Sequence, residues 1–205
     1  TGDNLETLGV SNFDQYVEFL PNVVFQGTGP GQNEIYIRGA ATTQTNISVS
    51  SVQALQPSVA FYLDEQPVSM QGRNLDVYAT DVERIEVLRG PQGTLFGRNT
   101  IGGAVNVVSK KPGTEFDASF RLAVGEEGHE EARVTINVPL GEQFGGRLTA
   151  FSRERDGYVK AQQYDNYDLG SEDVWALRLQ LGGAISENLS VDFAYDYSKD
   201  TSTPG

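Results

Sequence analysis

Through most of the C-terminal half of the chain, apolar and polar residues alternate with a period of two. Phe120, Leu122 and Val124 are interleaved with Arg121 and Ala123, and Ala132, Val134, Ile136 and Val138 with Arg133, Thr135 and Asn137. Residues 147–155 alternate less cleanly. Trp175, Leu177, Leu179 and Leu181 stand against Arg178 and Gln180, and Leu189, Val191, Phe193, Tyr195 and Tyr197 against Ser190, Asp192 and Asp196. Successive side chains of a strand point to opposite faces, so this rhythm predicts five strands, each with one apolar face.

The connections sharpen the picture. Residues 140–146 and 182–188 are short and carry turn formers, whereas residues 156–172 are long and polar. Short turns at one end and longer loops at the other fit an up-and-down barrel crossing an outer membrane, with the short turns periplasmic. A soluble antiparallel sheet with one wet face shows the same alternation, and periodicity leaves both open. Segments of about 9–11 residues suit a tilted membrane strand, and Tyr195 and Tyr197 near a strand end suit an aromatic girdle.

The first 113 residues follow a different pattern. Ser11 or Asn12 can cap a helix whose apolar positions Phe13, Tyr16, Val17 and Leu20 share one face, and Pro21 ends it. Short apolar runs and glycine-rich connections follow, which predicts a compact α+β unit. Ile85, Val87 and Leu88 are expected in a short buried strand stopped by Gly90-Pro91. Gly93, Gly97, Gly102 and Gly103 permit turns and close backbone approach.

Composition narrows the function. No run approaches the roughly 18 apolar residues of a membrane helix, so any membrane crossing falls to strands closed into a barrel. There is no cysteine, which removes disulfides and thiolate chemistry, and the single histidine removes most nucleophilic triads. A net charge of −13 argues against a nucleic-acid partner. The run Glu126-Glu127-Gly128-His129-Glu130-Glu131 has metal-ligand chemistry, but between two strands it reads as a solvated acidic turn, and no metal is expected. Residues 27–31 lack the order of a phosphate loop and read as a connection. No cofactor and no enzymatic activity is expected.

The most specific stretch is residues 81–112, DVERIEVLRGPQGTLFGRNTIGGAVNVVSKKP. It resembles the plug domain of TonB-dependent receptors, which carries a V-E-R-I-E-V-L-R-G-P segment, a glycine-rich L-Y/F-G turn and G-G-x-V/I-N-x-x-[ST]-K in this order and spacing. Ile35-Tyr36-Ile37-Arg38-Gly39 is similar to the family's I-R-G strand. Phe61-Tyr62-Leu63-Asp64 with Pro67-Val68 is similar to its Y-x-D-x-x-P-V hairpin region.

The resemblance implies a plug domain over residues 1–113, followed over 114–205 by the first five or so antiparallel strands of an incomplete up-and-down transmembrane β-barrel. It implies a receptor in the bacterial outer membrane for TonB-dependent uptake of a scarce nutrient: a ferric siderophore, or a comparable cargo such as a corrinoid or an oligosaccharide. The implied partners are that cargo, outer-membrane lipid and the TonB energy-transducing complex, whose contact segment is expected outside this sequence because no TonB box precedes the helix.

Arg38 and Arg89 resemble plug residues that pair with carboxylates on the barrel wall, where a guanidinium grips a carboxylate bidentately. Met70, Gln71, Arg73 and Tyr78, between the Pro67-Val68 strand and Val82, are expected near the cargo at the plug apex. They offer an amide, a cation for an anionic chelate, and aromatic or thioether surface. The competing class is a soluble extracellular or periplasmic binding module with an α+β head and a β-sandwich tail.

Overall fold

In the computed structural model of the chain, the structure describes residues 17, 20–27, 33–39, 46–48, 51–53, 57–70, 73–74, 81–160 and 168–203. Two compact units separate, Thr1–Ser109 and Lys110–Gly205.

The first unit contains strands β1 (Val23–Gly27), β2 (Asn33–Ile37), β3 (Asn46–Ser48), β4 (Ser51–Gln53), β5 (Val59–Leu63), β6 (Gln66–Pro67), β7 (Ser69–Met70), β8 (Arg73–Asn74), β9 (Val82–Arg89) and β10 (Gly103–Ser109). A single helical turn, α1 (Gly93–Phe96), joins β9 to β10. Two four-stranded sheets are ordered β1-β2-β8-β7 and β6-β5-β10-β9, and β3 pairs with β4.

Strand β10 is the centre of the second sheet, parallel to β5 and antiparallel to β9. Alternation places its side chains on two faces. Val105 and Val107 join Val59, Phe61, Ile35, Ile37, Val17, Val23 and Val82 in the main core, with Ile85 and Val87 packed against it. Ala104 turns the other way, with Ala60, Tyr62, Leu88 and Phe96. Strand β9 differs from the buried strand expected, because Ile85, Val87 and Leu88 are only half-buried: β9 is the edge of its sheet, with one neighbour.

Of the expected N-terminal helix, Val17 is helical and buried, and Leu20 donates its amide to the Val17 carbonyl at 2.9 Å. Phe13, Tyr16 and the capping Ser11 or Asn12 lie outside the described residues.

Two glycine-rich features have a clear physical cause. Gly103 has φ +146°, and a Cβ there would stand 2.3 Å from the Leu88 carbonyl oxygen and 2.8 Å from Ile37 Cδ1, so no side chain fits between β9 and the core. Gly97 has φ +72° where α1 ends. Tyr62 spans the same region, its hydroxyl donating to the Phe96 carbonyl and its ring meeting Phe96 edge-on at 5.0 Å.

The second unit is one five-stranded antiparallel meander: β11 (Asp117–Val124), β12 (Glu130–Pro139), β13 (Phe144–Arg155), β16 (Glu172–Ser186) and β17 (Leu189–Asp200), paired in that order. The small hairpin of β14 (Val159–Lys160) and β15 (Asp168–Leu169) lies between β13 and β16.

Residues 182–186 are strand rather than turn. Gly182 and Gly183 pair with Gly145 and Phe144 on one side and with Asp192 and Val191 on the other, and only residues 187–188 make the turn. A Cβ at Gly183 would stand 2.2 Å from the Gln143 carbonyl oxygen, so these glycines mark close packing inside a strand. The β16 strand of 15 residues, at about 3.3 Å per residue, is about 50 Å long. Tilted by about 45°, it spans about 35 Å, enough for a hydrocarbon layer of about 30 Å.

Candidate functional site

The sheet of the second unit is inverted relative to a water-soluble protein. On one face the side chains are polar and buried: Glu131, Thr135 and Asn137 from β12, Arg147, Thr149 and Arg153 from β13, Arg178 and Gln180 from β16. On the opposite face, Phe120, Leu122, Val138, Leu148, Trp175, Leu179, Leu181, Val191, Phe193, Tyr195 and Tyr197 are all exposed. The register aligns these apolar positions in rows, such as Leu179 opposite Tyr195 and Leu181 opposite Phe193. Trp175 and Tyr197 sit at 4.8 Å between ring centroids.

The polar face is organised by charge. Glu131 and Arg153 are register partners, with Arg153 Nη2 3.2 Å from Glu131 Oε2 and both side chains over nine-tenths buried. Arg133 lies 3.6 Å from the other oxygen of the same carboxylate. Arg153 continues to Glu172 at 3.6 Å, and Glu172 to Arg155 at 3.1 Å, so five side chains alternate in sign from Arg133 to Arg155.

Phe151 completes this cluster: the guanidinium carbons of Arg133 and Arg153 lie 5.5 and 5.4 Å from its ring centroid, within cation–π reach. Further along the same face, Arg178 meets its register partner Asp196 at 2.8 Å, and Thr135 and Thr149 hydroxyls meet at 3.3 Å. Each polar residue is set there by the period of the strand, one residue out of phase with the apolar rows.

The acidic run between β11 and β12 therefore divides. Residues 126–129 lie in the connection, where Gly125 donates its amide to the His129 carbonyl at 2.8 Å. Glu130 and Glu131 belong to β12, and Glu131 is buried between arginines rather than solvated. The loop reading failed there because the alternation begins two residues earlier than Ala132. Among the described residues no group of His, Asp and Glu has metal-binding geometry, and no helix is long and apolar enough to cross a membrane, which says nothing of strands.

In the first unit, the Y-x-D hairpin is a tight turn. Asp64 and Glu65 have φ +48° and +66°, and Leu63 pairs with Gln66, as in a type I′ connection. The Asp64 carboxylate accepts hydrogen bonds from the Ser109 amide at 2.8 Å and hydroxyl at 2.7 Å. Asn106 accepts from the Glu65 amide at 3.3 Å and donates to Glu86 at 3.2 Å. Arg84 donates to Glu86 at 2.8 Å. These hydrogen bonds, first from Arg84 and then from Asn106, hold the Glu86 carboxyl below its ordinary range.

The sequence-identified residues fall as follows. Arg38 follows β2 with φ +53°, its amide bonded to the Asn22 carbonyl at 3.0 Å, and Arg89 ends β9 opposite Gly103. Both side chains are exposed, with no carboxylate partner among the described residues. Met70 and Arg73 are register partners in the β7–β8 pair, while Gln71 and Tyr78 lie outside the described residues. The buried charge cluster was missed as a site, although its signal was in the sequence: arginine recurs at the positions between apolar residues in three successive strands.

Residues 1–104 match the family model for the TonB-dependent Receptor Plug Domain. Among relatives, the ferrioxamine receptor of Yersinia enterocolitica is 24% identical over 180 residues, covering 85% of this chain and 24% of that receptor. The ferripyoverdine receptor of Pseudomonas aeruginosa is 24% identical over 165 residues, covering 80% of this chain and 19% of the receptor. Among solved structures, the ferric yersiniabactin uptake receptor of Yersinia pestis superposes with a TM-score of 0.82 at 24% identity, over 96% of this chain and 30% of that one. The pyoverdine outer membrane receptor of Pseudomonas aeruginosa PAO1 gives 0.74 at 20% identity, over 98% and 27%. The chain spans about a quarter or less of the length of these curated relatives.

Proposed function

Because this chain belongs to the TonB-dependent receptor family through its plug domain, we propose that it is the plug and first barrel strands of a bacterial outer-membrane receptor that takes up a ferric siderophore. In this reading the plug is residues 1–113 and the barrel strands are 114–205, a boundary four residues beyond the division between the two compact units. Energy for release reaches the plug from the TonB complex, and lipid covers the apolar face of the strands.

The observation that carries this reading is the inversion of the second sheet. At least eleven large apolar side chains on one face are exposed while eight polar or charged ones on the other are buried. In water this arrangement leaves apolar area unpaid at about 25 cal/mol per Å². In a membrane barrel it is the stable one, because hydrocarbon covers the outside and a polar lumen holds the charges. A soluble sandwich tail would require the opposite assignment, with the apolar rows buried.

The plug apex, with Met70, Gln71, Arg73 and Tyr78, contacts the cargo, and Arg38 and Arg89 lock the plug to wall carboxylates. The chemistry at the apex favours an anionic, hydrogen-bonding chelate over a neutral sugar. The ferric siderophores bound by the relatives support the same cargo class. The test uses iron-limited cells carrying the full-length receptor or none, supplied with radiolabelled ferric siderophores, cobalamin or oligosaccharides. Energy-dependent iron uptake is expected. Uptake of only a non-iron cargo would replace the siderophore assignment, and Gln71→Ala with Arg73→Ala that left affinity within twofold would remove the apex assignment.

A further inference from the structure

The passage from the last plug strand to the first wall strand is fastened on both sides. Before it, the Asp64 carboxylate takes both the amide and the hydroxyl of Ser109, the final residue of β10. After it, Asn137 on the polar face of β12 treats the chain as a strand partner: its Oδ1 accepts the Gly113 amide at 2.9 Å, and its Nδ2 donates to the Gly113 carbonyl at 3.0 Å and to the Glu115 carbonyl. Asn137 is only 2% exposed, so water does not compete freely for these bonds.

The wall is also shaped to receive the segment. A Cβ at position 145 would stand 2.2 Å from the Gly113 carbonyl oxygen, and the nearest Pro112 atom is 3.7 Å from where a Cβ at 182 would be. Gly145 and Gly182 are register partners on β13 and β16. These two glycines leave room for Pro112 and Gly113 beside the sheet, while Asn137 holds Gly113 and Glu115. Lys111 adds an exposed ion pair to Asp192 at 3.2 Å, which contributes little.

We propose that Asn137 is an anchoring residue that keeps this segment seated on the wall when the plug is opened, so that remodelling stops at residue 113 and the plug can refold from a fixed end. The proposal rests on the transport reading above. Asp64 makes a separate, earlier hold at Ser109, leaving residues 110–112 as the only stretch between the two side-chain clamps. The amide suits the downstream role because it satisfies two carbonyls and one N–H at once, which neither a carboxylate nor a hydroxyl can do.

The test uses the full-length receptor in lipid nanodiscs. Within residues 110–116, amide hydrogen exchange at Gly113, whose N–H the Asn137 side chain accepts, should be at least tenfold faster in Asn137→Ala than in the wild type, with exchange in β10 unchanged. Pulling on the plug's N-terminal end should show a last, separate rupture of about 14 Å for residues 113–116, and this event should disappear in Asn137→Ala. Should that variant fail to accumulate, Asn137→Asp keeps the acceptor and loses both donors, and an intermediate exchange rate is expected. Unchanged exchange, or a last rupture at the same force, would overturn the anchor. Neither readout depends on cargo, so failure of the siderophore uptake assay would count against the transport reading alone.

Discussion

Glu131 and Arg153 face each other across the β12–β13 ladder at 3.2 Å, both buried, on the face of the sheet opposite its apolar rows. Their value lies in compensation. A buried charge that loses its partner costs about 3–5 kcal/mol, more than the pair contributes relative to a matched apolar replacement. Glu131→Ala, which removes the carboxylate that Arg133 and Arg153 share while Arg153 keeps Glu172, should destabilise the full-length receptor by about 3 kcal/mol, the lower end of that range. Glu131→Gln, which retains an acceptor, should cost less. Equilibrium urea unfolding in lipid vesicles measures both, and equal stability of Glu131→Ala and the wild type would show that the cluster is hydrated.

The apolar face makes the opposite demand. Leu179 stands opposite Tyr195 in an exposed row, and arginine there would meet hydrocarbon. Leu179→Arg should cost about 2–4 kcal/mol in a bilayer, the range for a cation near the midplane. The same assay reports it, and a change within about 0.5 kcal/mol, usual for a water-exposed surface site, would contradict lipid coverage.

Gly103 is intolerant for a steric reason. A methyl group at φ +146° would overlap the Leu88 carbonyl oxygen and Ile37. Gly103→Ala should therefore cost about 2–4 kcal/mol and loosen the plug. Protease resistance of the plug in otherwise assembled receptor tests this, and wild-type resistance would mean that β9 moves aside freely.

The Glu86 site predicts a pH response. Hydrogen bonds from Arg84 and Asn106 lower the carboxyl's folded pKa, so its contribution is fully present above the ordinary glutamate value of about 4.3. It is lost as pH falls from there through the lower folded value. Plug stability in the wild type should thus fall more steeply below about pH 4.3 than in Glu86→Gln. Parallel acid profiles for the two would refute the linkage. The side chain is partly exposed, so the difference should be small.

Arg38 and Arg89 carry the locking proposal. Replacing both with alanine in the full-length receptor should leave cargo binding near normal and raise sensitivity to a large antibiotic that the outer membrane normally excludes. Exposed pairs contribute only about 0–1 kcal/mol each, so the plug should loosen rather than fall out. Unchanged permeability with unchanged uptake would make them ordinary surface residues. Loss of binding in step with uptake would place their role at the apex.

Much of this protein was legible before folding. The period-two rhythm from Phe120 to Tyr197 determined five strands, because a strand's faces are set by parity alone, and the residues around Val82 to Lys111 determined the family. Parity could not say which face is wet, since a soluble sheet and a membrane wall are written identically; the tertiary structure decided it by burying Arg153, Thr149 and Asn137 while leaving Phe193 and Leu181 exposed. Nor could sequence pair Glu131 with Arg153, Asp64 with Ser109, or Asn137 with Gly113. Those contacts join residues 22, 45 and 24 positions apart; the first is set by the register of the β12–β13 ladder, and the other two by a strand residue meeting a turn or connection that folding brings beside it.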